Sequence, residues 1–175
     1  TLYIMGSCHT AKRQITPDAV NKVIGRLNDS FDYIFVDCPA GIDVGFRRAV
    51  SCADEAIVVV TPHISAVRDA DKTAGYLGGV MSYVGIVVNR VRGDLIADGE
   101  MLSAFEVFSV LNGTPLGVVP DDDDINCGLV SGAAAKPFDI LAKNLHTGSR
   151  EMYDCVTPFR GISREIDFEV SLCKL

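Results

Sequence analysis

Apolar residues along the chain fall into two rhythms. Short, nearly unbroken runs of β-prone residues recur at Leu2–Met5 (LYIM), Tyr33–Asp37 (YIFVD), Glu55–Thr61 (EAIVVVT), Tyr83–Asn89 (YVGIVVN) and Pro115–Pro120 (PLGVVP). A strand apolar at successive positions is buried on both faces, as in a parallel sheet covered by helices. Between these runs the spacing turns helical. Thr16 reads as an N-cap with Pro17 in the first turn, placing Ala19, Val23, Ile24 and Leu27 on one face. Residues 43–52 predict a short helix, and Ser65–Leu77 a longer one with Ser65 as its cap. Met101–Leu111 is helical, Asp122 or Asp123 caps a helix through Ser131, and a last helix occupies residues 137–153. The alternation predicts an α/β domain over residues 1–153, with a mostly parallel sheet and helices on both faces. Residues 154–175 carry no clear period and read as an irregular tail.

Composition narrows the function classes. A chain of 175 residues, 48% hydrophobic, suits one domain with a sizeable core. The net charge of -7 comes with no clustered basic footprint, which argues against nucleic-acid binding. No apolar run is long enough to span a bilayer, and Thr1 does not open a signal peptide. Cys8, Cys38, Cys52, Cys127, Cys155 and Cys173 form no CxxC pair, so reduced thiols in a cytoplasmic protein are expected.

Ligands of parallel α/β sheets bind at the carboxyl ends of the strands. The tips to read for chemistry are therefore Asp37, Thr61-Pro62, Asn89-Arg90 and Pro120-Asp121. A carboxylate ending a buried strand, such as Asp37, is placed to hold a magnesium ion through its water shell. Gly41 then brings a bare backbone N–H toward a terminal phosphate. The alternative is that Asp37 caps the turn before residues 43–52. The amide of Asn89 offers a donor and an acceptor that match the edge of adenine, or it closes a strand into a loop. Arg90 and Arg92 either meet a base or phosphate or lie in solvent. In PDDDD (Pro120–Asp124), consecutive side chains diverge and acids suit a helix start, so only Asp121 is kept as a ligand contact. Arg68 lies on a polar helix face on which Asp69 and Lys72 are spaced to pair.

These stretches, in this order, resemble the MinD family of the MinD/ParA branch of P-loop NTPases. FDYIFVDCPAGID, ADEAIVVVTP, SAVRDADK, VVNRVR and GVVPDDDDI carry the resemblance, with GEML before a helix, over roughly Leu2 to Pro137. It implies a P-loop NTPase-like fold and an ATPase using ATP and Mg²⁺ in division-septum placement. Asp37 would be the Walker B acid and magnesium contact, and Gly41 the phosphate sensor of switch II. Asn89 and Arg90 would lie at the adenine, and Pro120 and Asp121 would close over it. Arg68 and Asp69 would lie near the surface for partners. The implied partners are a second copy across the nucleotide face, a MinE-type regulator and an inhibitor of division-ring assembly, at the inner face of the cell membrane.

Two departures qualify this. No GxxxxGK[ST] occurs, so the chain resembles the C-terminal portion of a MinD, without the N-terminal strand, P-loop and helix. Without that loop it is not expected to hydrolyse ATP alone. The last seventeen residues hold Arg160, Arg164 and Lys174 against Glu165, Asp167 and Glu169, which gives little pull toward anionic lipid. A ParA-like partitioning ATPase and a non-catalytic protein-binding remnant are the alternatives.

Overall fold

The computed structural model describes residues 2–6, 16–39 and 41–160. Cys8 and Cys173 lie outside these residues, as do residues 161–175 of the tail. In chain order the elements are α1 (Pro17–Leu27), α2 (Val44–Val50), β1 (Glu55–Val60), α3 (Ile64–Gly78), β2 (Tyr83–Val91), α4 (Gly93–Ala97), α5 (Ala104–Val110), β3 (Thr114–Pro120), α6 (Asp123–Asn126) and α7 (Lys136–Thr147). The strands form one parallel sheet in the order β1-β2-β3. Ala56 lies opposite Val84, Val60 opposite Val88, and Val91 opposite Pro120.

Helices cover both faces of β2 and β3, whereas Ile57 and Val59 leave one face of β1 exposed. On one face Val58, Ile86, Val88 and Val118 pack against Val67, Ala74 and Leu77 of α3 and Val107 of α5. On the other, Val87, Leu116 and Val119 meet Phe138, Leu141 and Leu145 of α7. Gly117 allows that close approach, because a Cβ there would lie 2.7 Å from Leu141 Cδ1. Asn144 of α7 is 2% exposed and donates through Nδ2 to the Leu116 carbonyl of β3. Four caps follow side-chain chemistry: Thr16, Asp43, Ser103 and Asp122 each accept from a backbone N–H three residues on. Ser103 and Glu106 complete a reciprocal capping box.

Two predicted strands are not in the sheet. Leu2–Met5 and Tyr33–Asp37 have no ladder partner among the described residues. Their apolar composition favours an extended chain, but a strand also needs a neighbour for its N–H and C=O groups. Ser65 is not the cap of α3, which begins one residue earlier behind His63, and neither residue makes a side-chain cap bond there. The helix after Asp122 stops at Asn126, and the last helix stops at Thr147, where Gly148 takes a left-handed φ of 70°.

Beyond α7 the chain closes back on the domain. Asp154 accepts at Oδ1 from the N–H groups of Val156 and Thr157, each at 3.0 Å, ahead of a short 3-10 turn at Thr157–Phe159. Cys155 is buried in the main core. The bonds from Thr157, then from Val156, hold the Asp154 carboxyl down at about 2. A depressed carboxyl stabilises the fold above the unfolded value of about 4, and that contribution is lost as pH falls through the folded value. In a carbon-detected NMR titration the Asp154 carboxyl is expected to turn over near pH 2. The amides of Val156 and Thr157 should lose exchange protection over the same range. A midpoint near 4 would show that the turn is not formed.

Candidate functional site at the strand tips

The sheet brings four of the sequence-predicted site residues to one place. Asn89 and Arg90 lie near the carboxyl end of β2, and Pro120 and Asp121 at that of β3. The two tips are joined by the Asp121 N–H, which donates to the Val91 carbonyl at 3.0 Å. Strand β2 runs on past Asn89 to Val91, and its register with β3 shifts between Val88 and Val91. Arg90 sits in that irregularity at a φ of 58°, an uncommon conformation for a residue with a Cβ. Its N–H donates to Asn89 Oδ1 at 2.9 Å, so the side chain of Asn89 supports the unusual backbone. That bond uses the amide's acceptor and leaves its NH₂ group as the donor side.

Asp121 is similarly held, accepting at Oδ1 from Asn126 Nδ2 at 3.1 Å. Asp122 is occupied as the cap of α6. Arg92 and Asp121 to Asp124 line a small cavity of about 490 Å³ at this end of the sheet. Arg92 is directed by Asp94: Nε donates to Oδ1 at 2.9 Å and one terminal nitrogen to Oδ2 at 2.6 Å. The hydrogen bonds to Asp94, then its charge, raise the guanidinium pKa above its ordinary value. This fork escaped sequence reasoning, since an Arg-Gly-Asp stretch in a loop carries no periodic signal. The buried carboxylate of Asp94 becomes legible only once the fold places it.

Asp37 and Gly41 come from another part of the chain, ahead of α2. Asp37 is exposed on the extended segment that enters α2, and no described hydrogen bond or ion pair joins it to β2 or β3. Gly41 has a φ of 92°, which glycine adopts without a Cβ penalty, and it turns the chain toward the Asp43 cap. Cys38 between them packs against the main core, and burial, then Asp43 and Asp37, raise its thiol pKa. Asp37 supplies one carboxylate, and no group of three or more potential metal ligands gathers among the described residues. On α3, Arg68 and Asp69 are exposed, and Asp69 pairs with Lys72 at 3.3 Å, as their spacing implies.

No helix among the described residues is long and apolar enough to cross a membrane. No family model matches the chain. The septum site-determining protein MinD of Bacillus subtilis is 42% identical over 127 residues, 71% of this chain and 47% of that protein. The MinC:MinD cell division complex of Aquifex aeolicus contains a chain similar in structure, with a TM-score of 0.70 and 30% identity. The match covers 79% of this chain and 62% of that one. The MinD of Pyrococcus horikoshii, solved with Mg-ADP, reaches a TM-score of 0.65 at 25% identity, over 75% of this chain and 57% of that one. The chain spans about half the length of the curated relatives it matches. Agreement in sequence and backbone places this chain, over most of its length, in the MinD family.

Proposed function

We propose that this chain forms the adenine-side and partner-facing part of a MinD-type, ATP-dependent regulator of division-septum placement. The observation that carries this is the convergence of Asn89, Arg90, Pro120 and Asp121 on one tip of a parallel sheet. In this reading Asn89 and Arg90 meet the base, and Pro120 and Asp121 close over it. Asp37 serves the magnesium side and Gly41 the terminal phosphate, once the rest of a nucleotide site faces them. The Mg-ADP bound to the Pyrococcus horikoshii relative supports ATP and Mg²⁺ as the ligands. Arg68 and Asp69 offer an exposed, charged helix face to a division inhibitor of the MinC kind or to a MinE-type regulator. Two subunits pair across the nucleotide face, in the cytoplasm and at the inner face of the cell membrane. The MinD names of the relatives and the net charge of -7 favour neither a ParA-like partitioning ATPase nor a separate binding module.

The 175 residues contain no GxxxxGK[ST], the loop whose N–H groups cradle the phosphates and whose lysine neutralises them. The isolated chain is therefore expected to show no steady ATP turnover. Turnover that disappears in Asp37→Ala would contradict this. The septum-placement reading is tested by joining the chain in frame behind the first half of the Bacillus subtilis relative, in cells lacking their own MinD. Midcell division should return, and Asp37→Ala or Asn89→Ala should abolish it. A stable chimera that leaves septa misplaced, while the parent relative restores them, would overturn the reading.

A further inference from the structure

Arg92 follows the last residue of β2 and lines the cavity of about 490 Å³ at the strand tips, together with the carboxylates of Asp121 to Asp124. Its guanidinium is the one cation among the described residues that line this cavity. The acidic run is lightly held. α6 buries no residue, and Ile125 packs only partly buried on the second core cluster. The Asp121 N–H reaches the Val91 carbonyl, while the side chains of Asp121 and Asp122 engage Asn126 and the Ile125 N–H. The Asp123 and Asp124 carboxylates make no hydrogen bond or ion pair among the described residues. Successive like charges repel one another, and a cation within a few ångströms offsets that repulsion.

We infer that Arg92 is the positioning residue of this acidic loop: fixed by its fork on Asp94, the guanidinium sets the place of Asp121–Asp124 against the end of β2. The inference rests on the reading above only for what the loop closes over, a nucleotide base; the place of the loop is a property of the chain alone. In sequence Arg92 reads as a base or phosphate contact or as a solvated side chain, and the fork gives it a third role. Asp94 fixes the guanidinium through two bonds, Nε to Oδ1 at 2.9 Å and a terminal nitrogen to Oδ2 at 2.6 Å. The Asp94 side chain is 10% exposed and that of Arg92 43%, so the anchor lies inside and the cation at the cavity. The backbone is fixed as well, because the Arg92 N–H donates to Met101 Sδ at 3.4 Å. Two donors on Asp94 leave the rest of the five-donor guanidinium for the cavity. An ammonium has no such fork and would carry the charge without the fixed direction. Beyond the bonds and charge of Asp94, which raise the guanidinium pKa most, the charges of Asp121 and Asp123 raise it further, so both carboxylates lie within electrostatic reach.

The test is amide hydrogen exchange on the full 175-residue chain, without nucleotide. The reporters are the hydrogen-bonded amides of Asp121, Ile125, Asn126 and Cys127, with Ile86–Val88 of β2 as the reference for a folded sheet. Arg92→Gln combined with Asp94→Asn removes the cation without leaving a buried carboxylate unpaired. The reporters should then exchange at least about ten-fold faster, and the reference should not move. Adding Asp123→Asn to that pair should slow the reporters again. Salt should do the same, because the screening length falls from about 10 Å at about 0.1 M to about 3 Å at about 1 M. Arg92→Lys with Asp94 intact keeps a cation but not the fork, and should retain part of the protection. Unchanged reporters, an equal change in β2, or a loss that neither Asp123→Asn nor salt reverses would overturn the inference. Adenosine, which carries no phosphate, is titrated separately against the parent chain by NMR. Absence of shifts at Asn89 and Asp121 would count against the adenine-side reading, whereas the exchange result alone decides the role of Arg92.

Discussion

Asn144→Asp is expected to cost the fold about 3–5 kcal/mol at neutral pH, although it exchanges one amide nitrogen for an oxygen. Asn144 is 2% exposed in the seam between α7 and β3. Its Nδ2 donates to the carbonyls of Leu116 at 2.9 Å and Glu151 at 2.6 Å, and its Oδ1 accepts from the Glu151 N–H at 3.1 Å. One side chain thus clamps the helix, the strand and the segment after the helix. Asn144→Leu removes all three bonds and should cost about 3 kcal/mol at roughly 1 kcal/mol each. For a chain of this size that lowers Tm by about 6–12 °C. Asn144→Asp is worse, because it aims a carboxylate at two carbonyl oxygens, and a buried unpaired charge costs about 3–5 kcal/mol. The two variants separate by pH. Burial and the facing carbonyls raise the folded pKa of the introduced carboxyl above its unfolded value of about 3.9. The penalty therefore grows as pH rises above that value and shrinks as pH falls toward it. Thermal melts at pH 7 and pH 4.5 should show Asn144→Asp recovering in acid relative to Asn144→Leu. Equal melting of Asn144→Asp and the parent at pH 7 would refute the clamp.

How much of this was legible in the sequence depends on the range of the cause. β2 and β3 are readable because continuous apolar runs are themselves what a doubly covered sheet selects, and β1 carries the same run although one of its faces is exposed. The caps at Thr16 and Asp122 are readable because they are local chemistry between a side chain and an N–H three residues away, whereas those at Asp43 and Ser103 are seen only in the structure and Ser65 makes none. The shared tip of Asn89, Arg90, Pro120 and Asp121 is readable because adjacent parallel strands end on the same side. Tyr33–Asp37 has the same apolar pattern as β1 and still is not a strand, since pattern reports a preference and pairing requires a neighbour. Asp37 consequently sits on an exposed extended segment rather than at the end of a paired strand. In the sequence nothing distinguishes Asn144 from the other polar residues of its helix, and its three partners exist only after the chain has folded back. The Arg92–Asp94 fork was hidden for a related reason: neither residue lies on a periodic face.

Gly93→Ala should peel the segment after α7 off the domain. A Cβ built on Gly93, at the start of α4, would lie 1.7 Å from the Cys155 carbonyl oxygen, 2.7 Å from its carbon and 2.8 Å from a ring carbon of Phe159. Two of these are backbone atoms, so no rotamer change relieves the clash. Overpacking of this kind typically costs about 1–3 kcal/mol, and the cheaper escape is for Asp154–Arg160 to lift away. Cys155 reports the difference between local lifting and global unfolding. In the parent its thiol is buried, and that burial, then the charge of Asp154, pushes its pKa up to about 12. Once exposed it should return toward about 8.5, raising the thiolate fraction at pH 8 on the order of a thousand-fold. Iodoacetamide labelling followed by mass spectrometry should therefore find Cys155 slow in the parent and fast in Gly93→Ala, with exposed Cys127 as the internal comparison. Amides of β2 should stay protected in both, because the sheet does not depend on the lifted segment. Unchanged labelling of Cys155 would mean that the close packing of Gly93 against Cys155 does not hold this segment in place.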